Sequence, residues 1–141
     1  ERSGASLQKN GEEDENETSL ILKIHAGGMR LLATGDVDAA CEDSLAAKYR
    51  DGLKVDLLKV AHHGSRYSWS DAFAKYAEPQ AAVFQVGKNN YGHPNGEIIA
   101  GYEQAGAGIW RNDLQGAVGF SCRGEDPATG KKRLEVVTML P

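Results

Sequence analysis

Three short apolar runs in this chain each break off into a compact polar cluster, and helix-compatible segments lie between them. Leu31-Leu32-Ala33 ends in Thr34-Gly35-Asp36. Val55 to Val60 (VDLLKV) runs into His62-His63-Gly64-Ser65. Ala81 to Val86 (AAVFQV) leads to a loop containing Asn89-Asn90-Tyr91-Gly92-His93-Pro94. Short apolar runs bounded by turn residues have the length of buried strands. Strands that alternate with helices place those helices on a sheet face. Ligands of open α/β sheets collect beyond the strand ends. The three polar clusters therefore share one topological position, and they mark where chemistry would sit.

The remaining pattern completes an α/β (α+β) reading. Leu20–Ile24 and Met29–Ala33 flank Gly27-Gly28 and read as a hairpin. Residues 38–50 favour helix, with Ala39, Ala40, Leu45 and Tyr49 near helical spacing and Gly52 beyond the end. Ser70 can cap a helix over 71–77 that Pro79 stops. A further helix runs from about Asn95 to Ala105, with Gly106 past its end. Gly108–Arg111 is a short strand. Ala117–Cys122 and Arg133–Met139 form a last hairpin around a polar loop. The order is ββαβαβαβββ, a mixed sheet with helices on a face.

Charge is uneven along the chain. Residues 1–17 hold six acids against two bases and no apolar periodicity, which predicts a disordered acidic linker ahead of a folded part over 18–141. The whole net charge of −4 lies in that segment, so the folded part is electrically balanced. A balanced body does not grip nucleic acid by charge alone; nucleic-acid chemistry here would need a metal or a basic neighbour. No apolar run approaches the roughly 20 residues of a membrane span, so no membrane contact is expected of this segment. Cys41 and Cys122 are too few for a disulfide framework and read as small buried hydrophobes. The chain begins with Glu1, has no signal peptide, and reads as an excised piece of a longer protein.

Each cluster admits a chemical and a plainer reading. Asp36 ends an apolar strand, where a carboxylate can reach into a cleft and bridge cations; it also precedes helix 38–50 and could cap it. His62 and His63 leave a buried strand, on which neighbours face opposite ways, so only one can follow the cleft side. Neutral imidazole is a metal ligand; a surface histidine pair is the plainer reading. Gly64 permits a sharp turn, and Ser65 offers a hydroxyl to a phosphate. His93, restricted by Pro94, suits a phosphate contact or proton transfer, or belongs to an ordinary turn. His25 ends a strand before Gly27-Gly28 and reads as a hairpin-end residue. One carboxylate and one or two histidines do not complete a metal site, which takes three protein ligands plus water in catalytic zinc.

Taken together, Asn16-x-x-Ser19-Leu20, LLATGD over 31–36, LLKVAHHGS over 57–65, VGKNNYGHP over 86–94 and WRNDLQGA over 110–117 resemble one family in order and spacing. It is the carboxy-terminal metallo-β-lactamase-like domain of ComEC-type DNA-uptake competence proteins. The resemblance covers about residues 16–122. It implies half of an αββα sandwich, a dinuclear Zn²⁺ or Mn²⁺ site in the intact domain, and hydrolysis of the DNA strand that is not transported. It implies Asp36 as a bridging ligand and His62 as a terminal one, with His63 close behind. His63 and His93 would act in catalysis, and Ser65, Asn90 and His93 would line the substrate side. The family's HxHxDH ligands are absent from this sequence, so the expectation is an incomplete, catalytically silent site. The expected partners are DNA, the upstream half of the same domain, and a second copy through exposed sheet surface. The parent would sit in the inner membrane, with this domain on the periplasmic or extracellular side. A non-catalytic docking module and another hydrolase of the superfamily, such as a lactonase or phosphocholine esterase, are the alternatives.

Overall fold

The computed structural model describes residues 18–140, so the predicted linker over 1–17 lies outside them. The chain forms β1 (Leu22–Ala26), β2 (Met29–Ala33), α1 (Ala39–Tyr49), β3 (Leu57–Lys59), α2 (Asp71–Ala77), β4 (Ala81–Phe84), α3 (Gly96–Gln104), β5 (Gly108–Arg111), α4 (Asn112–Gln115), β6 (Val118–Glu125) and β7 (Lys132–Thr138). Tight 3₁₀ turns follow α1 at Arg50–Leu53 and β3 at Ala61–Gly64. The first hairpin turns at Gly27 and Gly28, both with positive φ (56° and 77°), as a two-residue hairpin loop demands. Its first strand starts two residues later than the apolar pattern predicts.

Helix starts follow local chemistry. The Asp38 carboxylate accepts from the Cys41 N–H, Ser70 Oγ from Phe73 N–H, and Asn95 Oδ1 from Glu97 N–H. Each satisfies a donor that the first turn leaves without an intrahelical partner. The α1 cap is Asp38, which releases Asp36 from that role.

The main sheet has the order β1-β2-β3-β4-β5; β1 is antiparallel to β2, and every later pair is parallel. Successive right-handed crossovers in one direction put all the connecting helices on one face. Register aligns Leu32, Leu58, Ala82 and Ile109 across that face. The row meets Ala46, Phe73, Ala77, Ile98 and Tyr102 in the core, where Phe84 is also fully buried. A mixed α/β sheet with helices on one face is what the alternation of elements predicts.

The opposite face carries Ala33, Lys59, Val83 and Trp110 in register. The β6–β7 hairpin comes against it: Phe120 meets the Trp110 ring edge-on at 5.9 Å between centroids. The Gln80 side chain clasps the Lys132 main chain through two 2.8 Å hydrogen bonds. At the outer strand β1, Leu22 and Ile24 stay 44% and 42% exposed. Cys41 and Cys122 are free and only half-buried, a correction to the expectation of core cysteines. Cys122 shares the half-buried face of β6 with Phe120, and its sulfur reaches towards Gly28 at the turn of the first hairpin, where the main sheet ends.

Two buried acids mark the interior. Asp56 accepts the Arg30 main-chain N–H at 2.7 Å and the guanidinium at 2.8 and 3.2 Å. Burial alone would push this carboxyl up, but the Arg30 bonds outweigh it and hold the group below the usual range. Glu42, in the first turn of α1, is fully buried, and neither of its oxygens closes a hydrogen bond. The Tyr102 hydroxyl is buried and unsatisfied in the same way. Burial first, then Asp43 and Asp38, push the Glu42 carboxyl up to about 8, against a smaller opposing effect of the Ser70 main chain.

Glu42 thus keeps its proton in the folded state at neutral pH while the unfolded chain releases it. Its contribution is complete below about 4.5 and is lost as pH rises towards about 8. Chemical denaturation should show stability falling across that window by up to ~1.4 kcal/mol per pH unit. In Glu42→Gln that slope should flatten; an unchanged slope would assign it to other groups.

Candidate functional site

The C-terminal ends of β2, β3 and β4 open onto one rim. Gly35 leaves β2 with φ 61°, and a side chain there would strike Ser19 (2.8 Å). The Asp36 N–H donates to Ser19 Oγ at 3.0 Å, which fixes the main chain and leaves the carboxylate directed outward. Asp36 Oδ1 lies 3.5 Å from Lys59 Nζ, and Oδ2 lies 3.7 Å from His63 Nε2. Lys59 also donates to the Gly35 carbonyl at 2.7 Å. Burial lowers the Lys59 pKa, and Asp36 opposes that shift.

The histidine pair departs from its expected geometry. Strand β3 ends at Lys59, and His62 and His63 occupy a turn with left-handed backbone, φ 46° and 56°. Alternation across a strand therefore does not govern them, and both rings reach the rim. The turn is stitched to β2 by the His62 N–H, which donates to the Gly35 carbonyl at 3.1 Å. His63 Nδ1 lies 2.6 Å from the Gln85 carbonyl. A carbonyl only accepts, so Nδ1 donates this bond, and Nε2 is the ring nitrogen that faces Asp36. His62 stands between the other two rings, 6.4 Å from His63 and 5.6 Å from His93 between centroids. The sequence favours His62 as the partner of Asp36; the structure brings His63 there.

His93 is placed by Asn89. The Asn89 side chain donates to the Gly87 and His93 carbonyls and accepts from the Tyr91 and His93 N–H groups, at 2.8–3.1 Å. The His93–Pro94 peptide is cis. Partial burial first, then His62 and His63, lower the His93 pKa against the pull of Asp36. Its ring stacks on Tyr91 at 6.0 Å and 27°. Ser65 is only 1% exposed and contributes to the wall of a cleft of about 370 Å³, together with Arg66, Tyr67, Tyr91, Gly92, His93 and Asn95. Asn90 is exposed on the same loop. His25 lies at the first hairpin, in a separate cavity of about 640 Å³ with Arg30, Lys54, Glu125 and Lys132. The cations there are already paired, with Asp56, Glu78 and Glu125.

At the end of β5, Arg111 and Asp113 form a two-bond ion pair at 3.0 and 2.6 Å, which braces the fourth strand exit. Lys59, Gln85 and Asn89 are the contributors that motif reading passes over. Lys59 has a sequence signal, a lone cation inside LLKVA; Gln85 acts through its main chain and has none.

The donor set is a partial one. Among the described residues, no three His, Cys, Asp or Glu side chains could together hold a metal ion. Asp36 and His63 form one close pair of donors, short of the three protein ligands of catalytic zinc. No step through a metal is available to these residues alone.

These features define a mixed α/β domain with a carboxylate–imidazole cluster on the C-terminal rim of a mostly parallel sheet. No family model matches the chain. The chain is 39% identical over 108 residues to competence protein ComA of Neisseria gonorrhoeae, covering 76% of this chain and 16% of that protein. It is 32% identical over 107 residues to ComE operon protein 3 of Bacillus subtilis, covering 75% and 14%. It is 33% identical over 76 residues to Recombination protein 2 of Haemophilus influenzae, covering 54% and 9%. Over about three quarters of its length this chain is homologous to a segment of the ComEC-type competence proteins, and it spans about a sixth or less of these relatives.

Asn89→Ala should release the loop that aims His93. The loss of four short bonds is expected to cost about 1–3 kcal/mol in denaturant unfolding. The His93 ring resonances should shift or broaden in NMR spectra while those of His25 stay put; an unmoved His93 would give the loop another support.

Proposed function

We propose that this chain is part of a metal-dependent phosphodiester hydrolase in a bacterial DNA-uptake protein, and that the substrate is the strand that is not transported. The observation that carries the reading is the convergence of Asp36, His62, His63 and His93 from three strand exits onto one rim. The relatives' names, competence protein and recombination protein, point the same way. In this reading the domain is one half of a metallo-β-lactamase-like sandwich. The other half supplies the missing ligands and seats against the exposed Leu22 and Ile24 of β1. Self-association through that surface is its substitute when the other half is absent.

Zn²⁺ or Mn²⁺, where fully ligated, supplies Lewis acidity and a hydroxide at neutral pH. This chain's share is to hold charge and direct lone pairs. Asp36 offers an anion steadied by Lys59. His63, with Nδ1 tied to Gln85, aims Nε2 at the same point and takes the ligand role that the sequence favours for His62. His62 and His93 face the substrate, with Ser65 and Asn90 on the cleft side. The parent protein is assigned to the inner membrane, with this domain on its outer side; among the described residues no helix is long and apolar enough to cross a membrane. The incomplete donor set favours a second reading, a non-catalytic docking module of the translocator.

Incubation with Mn²⁺ and linear DNA separates these readings. The chain alone should leave DNA intact. A longer form that carries the preceding sequence of its parent should cleave it. Asp36→Ala in that form should lower the rate by more than the roughly 100-fold typical of losing an outer-shell partner. Cleavage by the chain alone would show its site to be complete. An inert longer form would favour the docking module.

A further inference from the structure

The cleft beside His93 carries two large aromatic rings that folding leaves in solvent. Tyr91 is 84% exposed and Tyr67 is 63% exposed. Both line the same cleft of about 370 Å³. Each ring is held on one side only. His93 stacks against Tyr91. The Arg66 guanidinium lies 4.7 Å from the Tyr67 ring centroid and donates to its hydroxyl. Among the described residues no acidic side chain lines the cleft, although the chain as a whole is acidic. Among those residues Arg66 is its one full charge.

We propose that this cleft binds unpaired nucleobases of single-stranded DNA, with Tyr91 and Tyr67 as stacking faces and Arg66 on an adjacent phosphate. The assignment rests on the proposed hydrolase reading for the identity of the polymer; the cleft's own chemistry specifies the strandedness. Aromatic faces beside an arginine are how proteins hold single strands without sequence preference, because every base has a π-face. A duplex keeps those faces stacked inside and cannot offer them. A body with no net charge cannot rely on phosphate attraction, so affinity has to come from stacking. The volume is at the lower end of ligand clefts, enough for a base with its sugar. The cleft adjoins His93, so a base lodged there places its own backbone next to the histidine cluster.

The test is fluorescence anisotropy of labelled oligothymidylate and of a duplex of equal length, titrated with the whole chain in EDTA so that hydrolysis plays no part. The single strand should bind more tightly than the duplex. Tyr91→Ala and Tyr67→Ala should each weaken it about tenfold, and the corresponding Phe variants should restore it. With Arg66 as the one phosphate contact, log K against log salt should have a slope of about −0.7. Thermal melts check that the variants fold. The proposal is overturned by wild-type chain that binds no oligonucleotide, by equal binding of both DNA forms, by folded Ala variants that bind as wild type, or by Phe variants as weak as Ala. Such a result leaves the Asp36–His63 reading to its own cleavage experiment. An inert longer form in that experiment leaves a positive binding result standing.

Discussion

Parallel pairing of β2, β3 and β4 in sequence order is the constraint on which the site depends. Each strand points the same way, so each polar exit emerges on the same rim. Pairing alone brings the exits only to strand spacing. The Gly35 carbonyl closes the remaining gap by accepting both the His62 N–H and the Lys59 ammonium. The Gln85 carbonyl does the same from β4 towards His63. Backbone groups that would otherwise face solvent thus become the struts of the cluster, and side-chain identity matters most at the tips.

Much of this was legible in the sequence because it is local. The cap at Ser70, the helix start near Asn95, the Gly27-Gly28 turn and the alternation of strands and helices depend on neighbours within a few residues. The aim of the histidines was not legible. Two consecutive non-glycine residues in the left-handed region are disfavoured on their own; the tie to Gly35 and the turn completed at Gly64 hold them there. Asn89 and Asn90 look alike as letters, yet only Asn89 points inward to four main-chain partners. Glu42 is a charged residue in the first turn of a helix, and nothing in its neighbours marks it as buried. It is buried where α2 and the Ser70 main chain before it come against α1, which no local pattern states.

The electrostatics of the rim centre on Asp36. Asp36 faces the Lys59 ammonium at 3.5 Å and the His63 Nε2 at 3.7 Å at once. Burial lowers the charge preference of Lys59 and also of His93. The adjoining tyrosine cleft has one full charge and two open rings. The two regions differ in character, one polar and directional, the other flat and apolar, and they meet at His93.

Gly64 joins these levels. A methyl group placed there would lie 2.6 Å from the Phe84 ring and 2.8 Å from Pro94, on a backbone with φ 81°. One hydrogen atom's width therefore separates the interior of β4, the turn that carries two imidazoles, and the loop that carries the third. Rim and interior are not independent modules: any loosening around Phe84 is transmitted to the orientation of three rings, and tuning of the rim by drift is limited to changes the central packing can absorb.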